Sequence, residues 1–491
     1  MSKIIEKMDT NLLIETGEDT QETVREQLLE RGFTLKDDSS EILGFNANVF
    51  VKYVMSREKI IYGLDNYFYT YDDGVWIQRN DKRILQYLRD ILQEPKYGIW
   101  KKRYEIEYIA ALEREAYLDK AMNPYKSIIN LKNGVFSIKK SKFLPHNSKY
   151  LSTIQIPVEY DENASCPDFL KFLNEVFEGD LERIANAQEW FGYALTTVTK
   201  AQKALILSGS GANGKGVFVD ILSLLVGDGN ISNIPLNELS KGFSRVCLYG
   251  KTVNISSENE SDGKTINTQY FKGIVGEDAI TAEQKGKPVF SFKPTVKLIL
   301  AMNNLPSTRD KSNGFYRRLS ILKFNVTFSE ANRDENLKVK LRKELPGIFL
   351  WAIEGLKRLR KNKFKFSYCE SMEQALEEYK TEQNPMIEFF EDSIEEESSH
   401  TVRSNNKSIY ETFKTWAEAN GHKGYASISS QKFWKQFEAI AKEKGYTCKA
   451  GRSNSFRYHT GVKLKGAKNS LITSRIARRN HKEIDDFEEL E

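Results

Sequence analysis

The sequence predicts an α/β protein: a P-loop NTPase core, an α+β N-terminal domain, a helical collar and a C-terminal winged helix. Three observations predict it. The apolar run Ala204–Leu207 passes straight into Gly209-Ser210-Gly211-Ala212-Asn213-Gly214-Lys215-Gly216, which reads as a buried strand, a phosphate-binding loop and a helix start. Two later segments that read as strands, at 251–258 and 296–303, end in Glu258 and Asn303. The C-terminal text carries two or three amphipathic helices and then a basic hairpin.

The elements run in this order. Residues 1–45 form a polar, acidic arm with a short helix expected over 21–31. An α+β domain is expected over 46–160, where Tyr67–Tyr71, the turn Asp72-Asp73-Gly74 and Val75–Ile77 give a hairpin signal. A helical collar covers 161–200, with Phe169, Phe172, Leu173, Val176 and Phe177 at helical spacing, then Ile184, Ala187, Phe191 and Leu195. The nucleotide core follows over 201–365, a charged helical connector over 366–399, the winged helix over 400–466 and a polar tail over 467–491.

Composition narrows the class. A chain of 491 residues has room for about three domains. Hydrophobic content of 40% supports real cores, and a net charge of +5 does not by itself call for nucleic acid. No apolar run approaches the ~20 residues of a membrane helix, and the start Met1–Lys7 lacks a signal core. Cys166, Cys247, Cys369 and Cys448 lie too far apart in sequence to suggest a disulfide framework or a metal pair. Five histidines, none at ligand spacing, argue against a zinc enzyme. The cytoplasm of a bacterial host is the expected location.

In the phosphate loop, glycines at 209, 211 and 214 let backbone N–H groups close around phosphate oxygens, and the following helix adds its positive end. Lys215 is expected to reach the β- and γ-phosphates of ATP. Gly216 stands where a hydroxyl normally ligates Mg²⁺. Glu258, with Glu260 as the alternative, ends a short strand and can hold Mg²⁺ through water or orient the attacking water. Asn303 can sense the γ-phosphate, or Asn303-Asn304 is a turn before Leu305-Pro306. Arg317 and Arg318 can supply a finger to a neighbour's ATP, or form a surface ion pair with Asp310 or Glu330.

In that order, these segments resemble the superfamily 3 helicases, and within them the phage/plasmid and poxvirus-type primase–helicase family. Trp190–Leu195, the phosphate loop, Asn303–Pro306, Arg317-Arg318, Leu345–Ile348, Trp351-Ala352 and Gly355-Leu356 carry the resemblance. It implies an AAA+-like core in a homo-hexameric ring with ATP between subunits. Lys215 would bind phosphates, Glu258 would be the acid of the second motif and Asn303 the sensor. Arg317 or Arg318 would reach across from the neighbour, the spacing to Phe324 favouring Arg317. It also implies a DNA-gripping hairpin at 280–292, with Lys285 at the pore and Lys287 in support.

Between Arg403 and Lys482 there are 18 Lys/Arg against Glu411, Glu418, Glu438 and Glu443. That is the charge expected of a duplex-binding module. Lys432 and Lys435 would face the major groove, and Arg452 and Arg457 would hold backbone or enter the minor groove. The expected function is an ATP-dependent replicative helicase and initiator of a phage, satellite or plasmid-like element. It would engage single- and double-stranded DNA at an origin, with ATP and Mg²⁺. No Asp-x-Asp strand pair or zinc cysteines in 1–160 mark a primase, so a separate primase is expected. A non-hydrolysing origin-binding factor, a primase–helicase with unrecognised primase activity and a DNA-packaging motor are the rival readings.

Overall fold

The computed structural model describes residues 21–37, 39–256, 268–286, 288–303, 308, 310–329, 334–399 and 401–466. They divide into two bodies, one holding 317–373 together with the described residues up to 303, the other 308, 310–316 and the described residues from 374 onward. Among the described residues no helix is long and apolar enough to cross a membrane.

The first body opens with α1 (Gln21–Glu30), the antiparallel pair β1 (Phe33–Leu35) and β2 (Ile42–Phe45), and α2 (Ala47–Arg57). Asn46 caps α2 by accepting from the N–H groups of Asn48 and Val49. β3 (Ile60–Tyr62), β4 (Phe68–Asp72) and β5 (Val75–Arg79) form an antiparallel sheet, followed by α3 (Asp81–Gln93) and α4 (Lys102–Glu115). Asp73 and Gly74 between β4 and β5 have φ of 45° and 83°, the left-handed pair a two-residue hairpin turn requires.

Two expected boundaries move. Leu28, Phe33 and Leu35 are buried in one core with Phe50, Tyr104 and Tyr108, so residues 21–45 are part of the folded N-terminal unit rather than an arm. The meander β6 (Ile128–Leu131), β7 (Gly134–Ser137) and β8 (Lys142–Leu144) buries Ile129, Leu131 and Phe136 in the other core, with the collar and the parallel sheet. The expected break at 160 therefore falls between Ala116 and Ile129.

The segment expected as a collar holds α5 (Pro167–Val176) and α6 (Leu181–Ala194), and α6 packs on α9 (Leu345–Lys361). The parallel sheet consists of β9 (Ala204–Ser208), β10 (Ile231–Ser232), β11 (Val253–Ser256), β14 (Lys297–Met302) and β15 (Leu319–Lys323). Its spatial order is β10-β11-β14-β9-β15, which puts β9 between β14 and β15. These strands are almost wholly buried, as a parallel sheet covered on both faces must be. Helix α7 (Lys215–Val226) follows β9, α8 (Thr268–Val275) precedes the antiparallel hairpin β12 (Ile280–Ala282) and β13 (Phe290–Phe292), and β14 comes next.

The second body comprises the end of α10 (Glu370–Gln383), α11 (Pro385–Ser393), α12 (Asn406–Ala419), the short helix Lys423–Ala426 and α13 (Ser430–Glu443). Five strands complete it: β16 (Ile394–Glu396), β17 (Ser404–Asn405), β18 (Lys449–Arg452), β19 (Arg457–Thr460) and β20 (Val462–Leu464). β18 and β19 make the expected hairpin. The expected start at 400 is too late. Met386, Phe389 and Phe390 are buried against Phe413, Phe433 and Phe437, and β16 pairs with β20.

Candidate functional site

The sequence of the phosphate loop dictates its shape. Gly211, Ala212 and Gly214 have φ of 108°, 47° and 83°. A Cβ on Gly209 would sit 2.2 Å from Asn213 Nδ2 and 2.7 Å from the Phe324 carbonyl oxygen, so only glycine fits there. Asn213 is buried and donates Nδ2 to that same carbonyl at 3.2 Å, while the Phe328 N–H donates to the Ala212 carbonyl at 2.8 Å. The loop is thus tied to the segment after β15. The Lys215 N–H donates to Asn213 Oδ1 at 3.3 Å, and Gly214 at the cap has no side chain, which leaves the next N–H groups of the first turn available to an anion.

Lys215 Nζ donates to the carbonyls of Gly209 at 2.9 Å and Met302 at 3.1 Å, and to Asn303 Oδ1 at 3.0 Å. Met302 lies opposite Ser208 in the β14–β9 register, so Asn303 emerges beside Gly209. The structure therefore brings Lys215 and Asn303 together from residues far apart in sequence. Burial holds the Lys215 ammonium below the ordinary lysine value. β11 ends at Ser256 on the same edge of the sheet; Glu258 and Glu260 lie outside the described residues.

The arginines take different places. Leu319 pairs with Ala204, so Arg317 and Arg318 precede β15 at the edge of the sheet opposite the phosphate loop. The five residues of β9 separate the two edges by about 17 Å. Arg317 is exposed. Arg318 is half-buried; burial chiefly, and Arg317 beside it, lower its pKa, while Asp278 acts the other way. Glu330, one expected ion-pair partner, lies outside the described residues.

Lys285 is exposed at the tip of the β12–β13 hairpin, before Gly286 at φ 77°. Lys287 lies outside the described residues. The hairpin is braced in a way that sequence reading missed. Tyr67 donates its hydroxyl to Gln284 Oε1 at 2.7 Å. Asp65 Oδ2 accepts from the Tyr69 hydroxyl at 2.5 Å and from Tyr249 at 2.8 Å, and the Tyr249 ring meets Phe290 and Phe292 edge-on. No local sequence signal marks a contact between residues some 180 apart in the chain.

In the second body Lys432 and Lys435 are exposed on α13, whose opposite face buries Phe433, Phe437 and Ile440. Arg452 and Arg457 are exposed and directly paired across the β18–β19 hairpin. Like charges facing one another cost free energy unless an anion joins them. Among the described residues no group of three or more His, Cys, Asp or Glu is placed to hold a metal.

Comparisons with known proteins point one way. A family described as "D5 N terminal like" matches residues 47–178, and one described as "Poxvirus D5 protein-like" matches 381–466. A family of unknown function matches 207–318, the span from the phosphate loop to Arg318. A helicase-named protein of invertebrate iridescent virus 6 is 24% identical over 372 residues, covering 66% of this chain and 38% of that protein. A helicase-named protein of Acanthamoeba polyphaga mimivirus is 27% identical over 363 residues, covering 67% and 34%. These matches support a phage/poxvirus-type primase–helicase family for this chain. The chain spans somewhat over a third of the length of these curated relatives. Two apo structures of the NrS-1 C-terminal region share the fold, with TM-scores of 0.51 and 0.50 at 13% and 12% identity. They match 86% and 85% of this chain and 100% of theirs. The span from the glycine-rich loop to Arg318 thus lies between two D5-like segments.

Proposed function

We propose that this protein is an ATP-dependent DNA helicase of superfamily 3 that initiates replication of a phage, satellite or plasmid-like element. The observation that carries the reading is the Lys215 ammonium held between the phosphate-loop carbonyl of Gly209 and the amide of Asn303 at the next strand end. A γ-phosphate entering there would take over the ammonium and find Asn303 beside it. The strand order, with β9 between β14 and β15, supports an AAA+-like core. The edge opposite the loop is where Arg317 stands, which suits a ring, here a homo-hexamer, in which each ATP meets a neighbour's arginine.

The positive-φ loop fits a triphosphate, and the backbone N–H groups of 211–216 with Lys215 would hold it. Mg²⁺, when bound, offsets charge on the β- and γ-oxygens. Glu258 is its proposed acid, and water replaces the hydroxyl that Gly216 lacks. Lys285 would grip backbone phosphates. The helices and hairpin of the second body would act as a winged helix on origin duplex through Lys432, Lys435, Arg452 and Arg457.

Gly216 is the observation that favours the rival reading, an origin-binding factor that uses ATP only to assemble. Steady-state ATP hydrolysis with Mg²⁺, with and without single-stranded DNA, decides between them. DNA-stimulated turnover that disappears in Lys215→Ala supports the motor. Rings that form with ATP but hydrolyse no more than Lys215→Ala leave the assembly factor.

A further inference from the structure

A large recess lies in the first body, away from the phosphate loop. It encloses about 1640 Å³. Its floor is the residues that lead into the parallel strands: Thr197–Lys200 before β9, Gly227–Asn230 before β10, Lys251 before β11 and Lys293–Thr295 before β14. It therefore sits at the sheet edge opposite the nucleotide. Residues 120–127 of the N-terminal region form one wall, and Arg342 and Arg360 stand on another.

Its charge is lopsided. Eight lysines and arginines line it against Asp65, Asp228 and Glu277. Two of those carboxylates are already engaged, Asp65 by Tyr69 and Tyr249 and Glu277 by Thr199 Oγ1 at 2.5 Å. Among the described residues none of the eight cations forms an ion pair. Arg360 Nη1 is enclosed by protein with no hydrogen-bond partner. A buried guanidinium N–H without a protein acceptor leaves a place for an outside one, a water or an anion.

We propose that this cleft binds single-stranded nucleic acid, with Lys126, Lys200, Lys293 and Arg360 on its phosphates. The volume exceeds the 300–1,000 Å³ of ordinary small-molecule pockets. Cations arriving from floor and walls suit a chain of phosphates better than a single one. Tyr125, 53% exposed, and Phe292 offer ring faces for stacking. Lys293 directly follows β13, so the cleft begins at the foot of the hairpin that carries Lys285. Only the choice of polyanion rests on the function proposed above.

The test uses the full chain and a fluorescein-labelled oligothymidine of about 20 nucleotides, followed by anisotropy over a salt series. The triple variant Lys126→Gln/Lys200→Gln/Lys293→Gln is expected to bind about tenfold or more weakly. The slope of log affinity on log salt should fall by about 2, at about 0.7 per lost phosphate contact. Arg360→Gln, whose melting curve reports folding independently, should weaken binding in the same direction. Oligothymidine carrying photoreactive 4-thiothymidine should crosslink to residues 120–127 or 293–295. Parental affinity and salt slope in both variants, or crosslinks only outside the cleft, would overturn the proposal. ATP hydrolysis lost in Lys215→Ala is a separate readout, so failure of the motor reading and failure of the cleft are told apart.

Discussion

Lys215 Nζ lies 3.0 Å from Asn303 Oδ1, although the two residues are 88 positions apart. The contact exists because Met302 pairs with Ser208, so both strand ends open onto the same loop. An amide that holds the lysine before nucleotide binds is placed to hand it to a γ-phosphate afterwards. Asn303→Ala should therefore lower kcat about 10–100-fold while nucleotide affinity changes by no more than about threefold. Equal losses in kcat/KM and in nucleotide Kd would assign Asn303 to uniform binding instead.

The lowered pKa of Lys215 gives that lysine a pH signature. Burial disfavours its charged form in the free protein, and a bound phosphate favours it, so as pH approaches and passes the lowered pKa nucleotide binding takes up a proton. Affinity for a fluorescent ATP analogue should fall as pH rises through the depressed pKa, at a lower pH than an exposed lysine would dictate. Lys215→Arg keeps its charge there, so whatever affinity it retains should hold over the same pH range.

Gly216 tests the missing hydroxyl. It lies in the first turn of α7, is exposed, and an added Cβ would meet nothing within 4 Å. Gly216→Ser should fold at least as well, gaining a few tenths of a kcal/mol from helix propensity. If ATP and Mg²⁺ bind here, the variant should reach half-maximal hydrolysis at several-fold lower Mg²⁺. An unchanged Mg²⁺ titration would mean that the hydroxyl position is not at the metal.

How much of this was legible in the sequence depended on the range of the interaction. The strand–loop–helix at 204–226 and the turn at Asp73-Gly74 were readable because local backbone chemistry fixes them. The boundaries at 45, 160 and 400 were not, because burial of Phe33 against Tyr104, of Phe136 against Phe349 and of Phe390 against Phe437 is set by partners tens to hundreds of residues away. At the site, the loop was legible residue by residue. The Asp65–Tyr249 brace was not, since a lone Asp and a lone Tyr carry no pattern.

The two arginines, of which sequence spacing favours Arg317, take different places in the structure. Arg317 is exposed, whereas Arg318 is half-buried near Asp278 and its carbonyl accepts from the Ala204 N–H at 2.7 Å. Arg317→Ala should leave the melting temperature unchanged and lower turnover about 10³-fold, with nucleotide binding retained. Arg318→Ala should instead cost about 1–2 kcal/mol of stability through lost packing. Mixing Arg317→Ala with Lys215→Ala should restore part of the hydrolysis if the arginine acts across a subunit boundary. No recovery in mixed rings would count against a role in trans.

The motif Trp190-Phe191-Gly192 and the later Gly355-Leu356 occur together because they touch. A Cβ on Gly192 would lie 2.3 Å from the Ala352 carbonyl oxygen, and one on Gly355 would lie 2.3 Å from the Gln188 carbonyl oxygen. Both obstacles are backbone, which cannot swing aside. Glu189, fully buried at this crossing, accepts from Arg358 Nε at 2.8 Å, from the Ser367 N–H at 2.8 Å and from Ser367 Oγ at 2.6 Å. Removing it would take the acceptor from Arg358 Nε and from both Ser367 donors, while Arg358 keeps Gln188 Oε1 and the Ala185 carbonyl. Glu189→Ala should therefore destabilise the first body by about 2–3 kcal/mol, and Gly192→Ala by about 1–3 kcal/mol. The loss should reach the phosphate loop, because Phe191 packs on Phe218 of α7 with ring centres 5.1 Å apart. In a denaturant melt of Glu189→Ala, nucleotide binding and collar structure should fail at one midpoint. Nucleotide binding that outlasts the collar would show that the loop does not depend on this crossing.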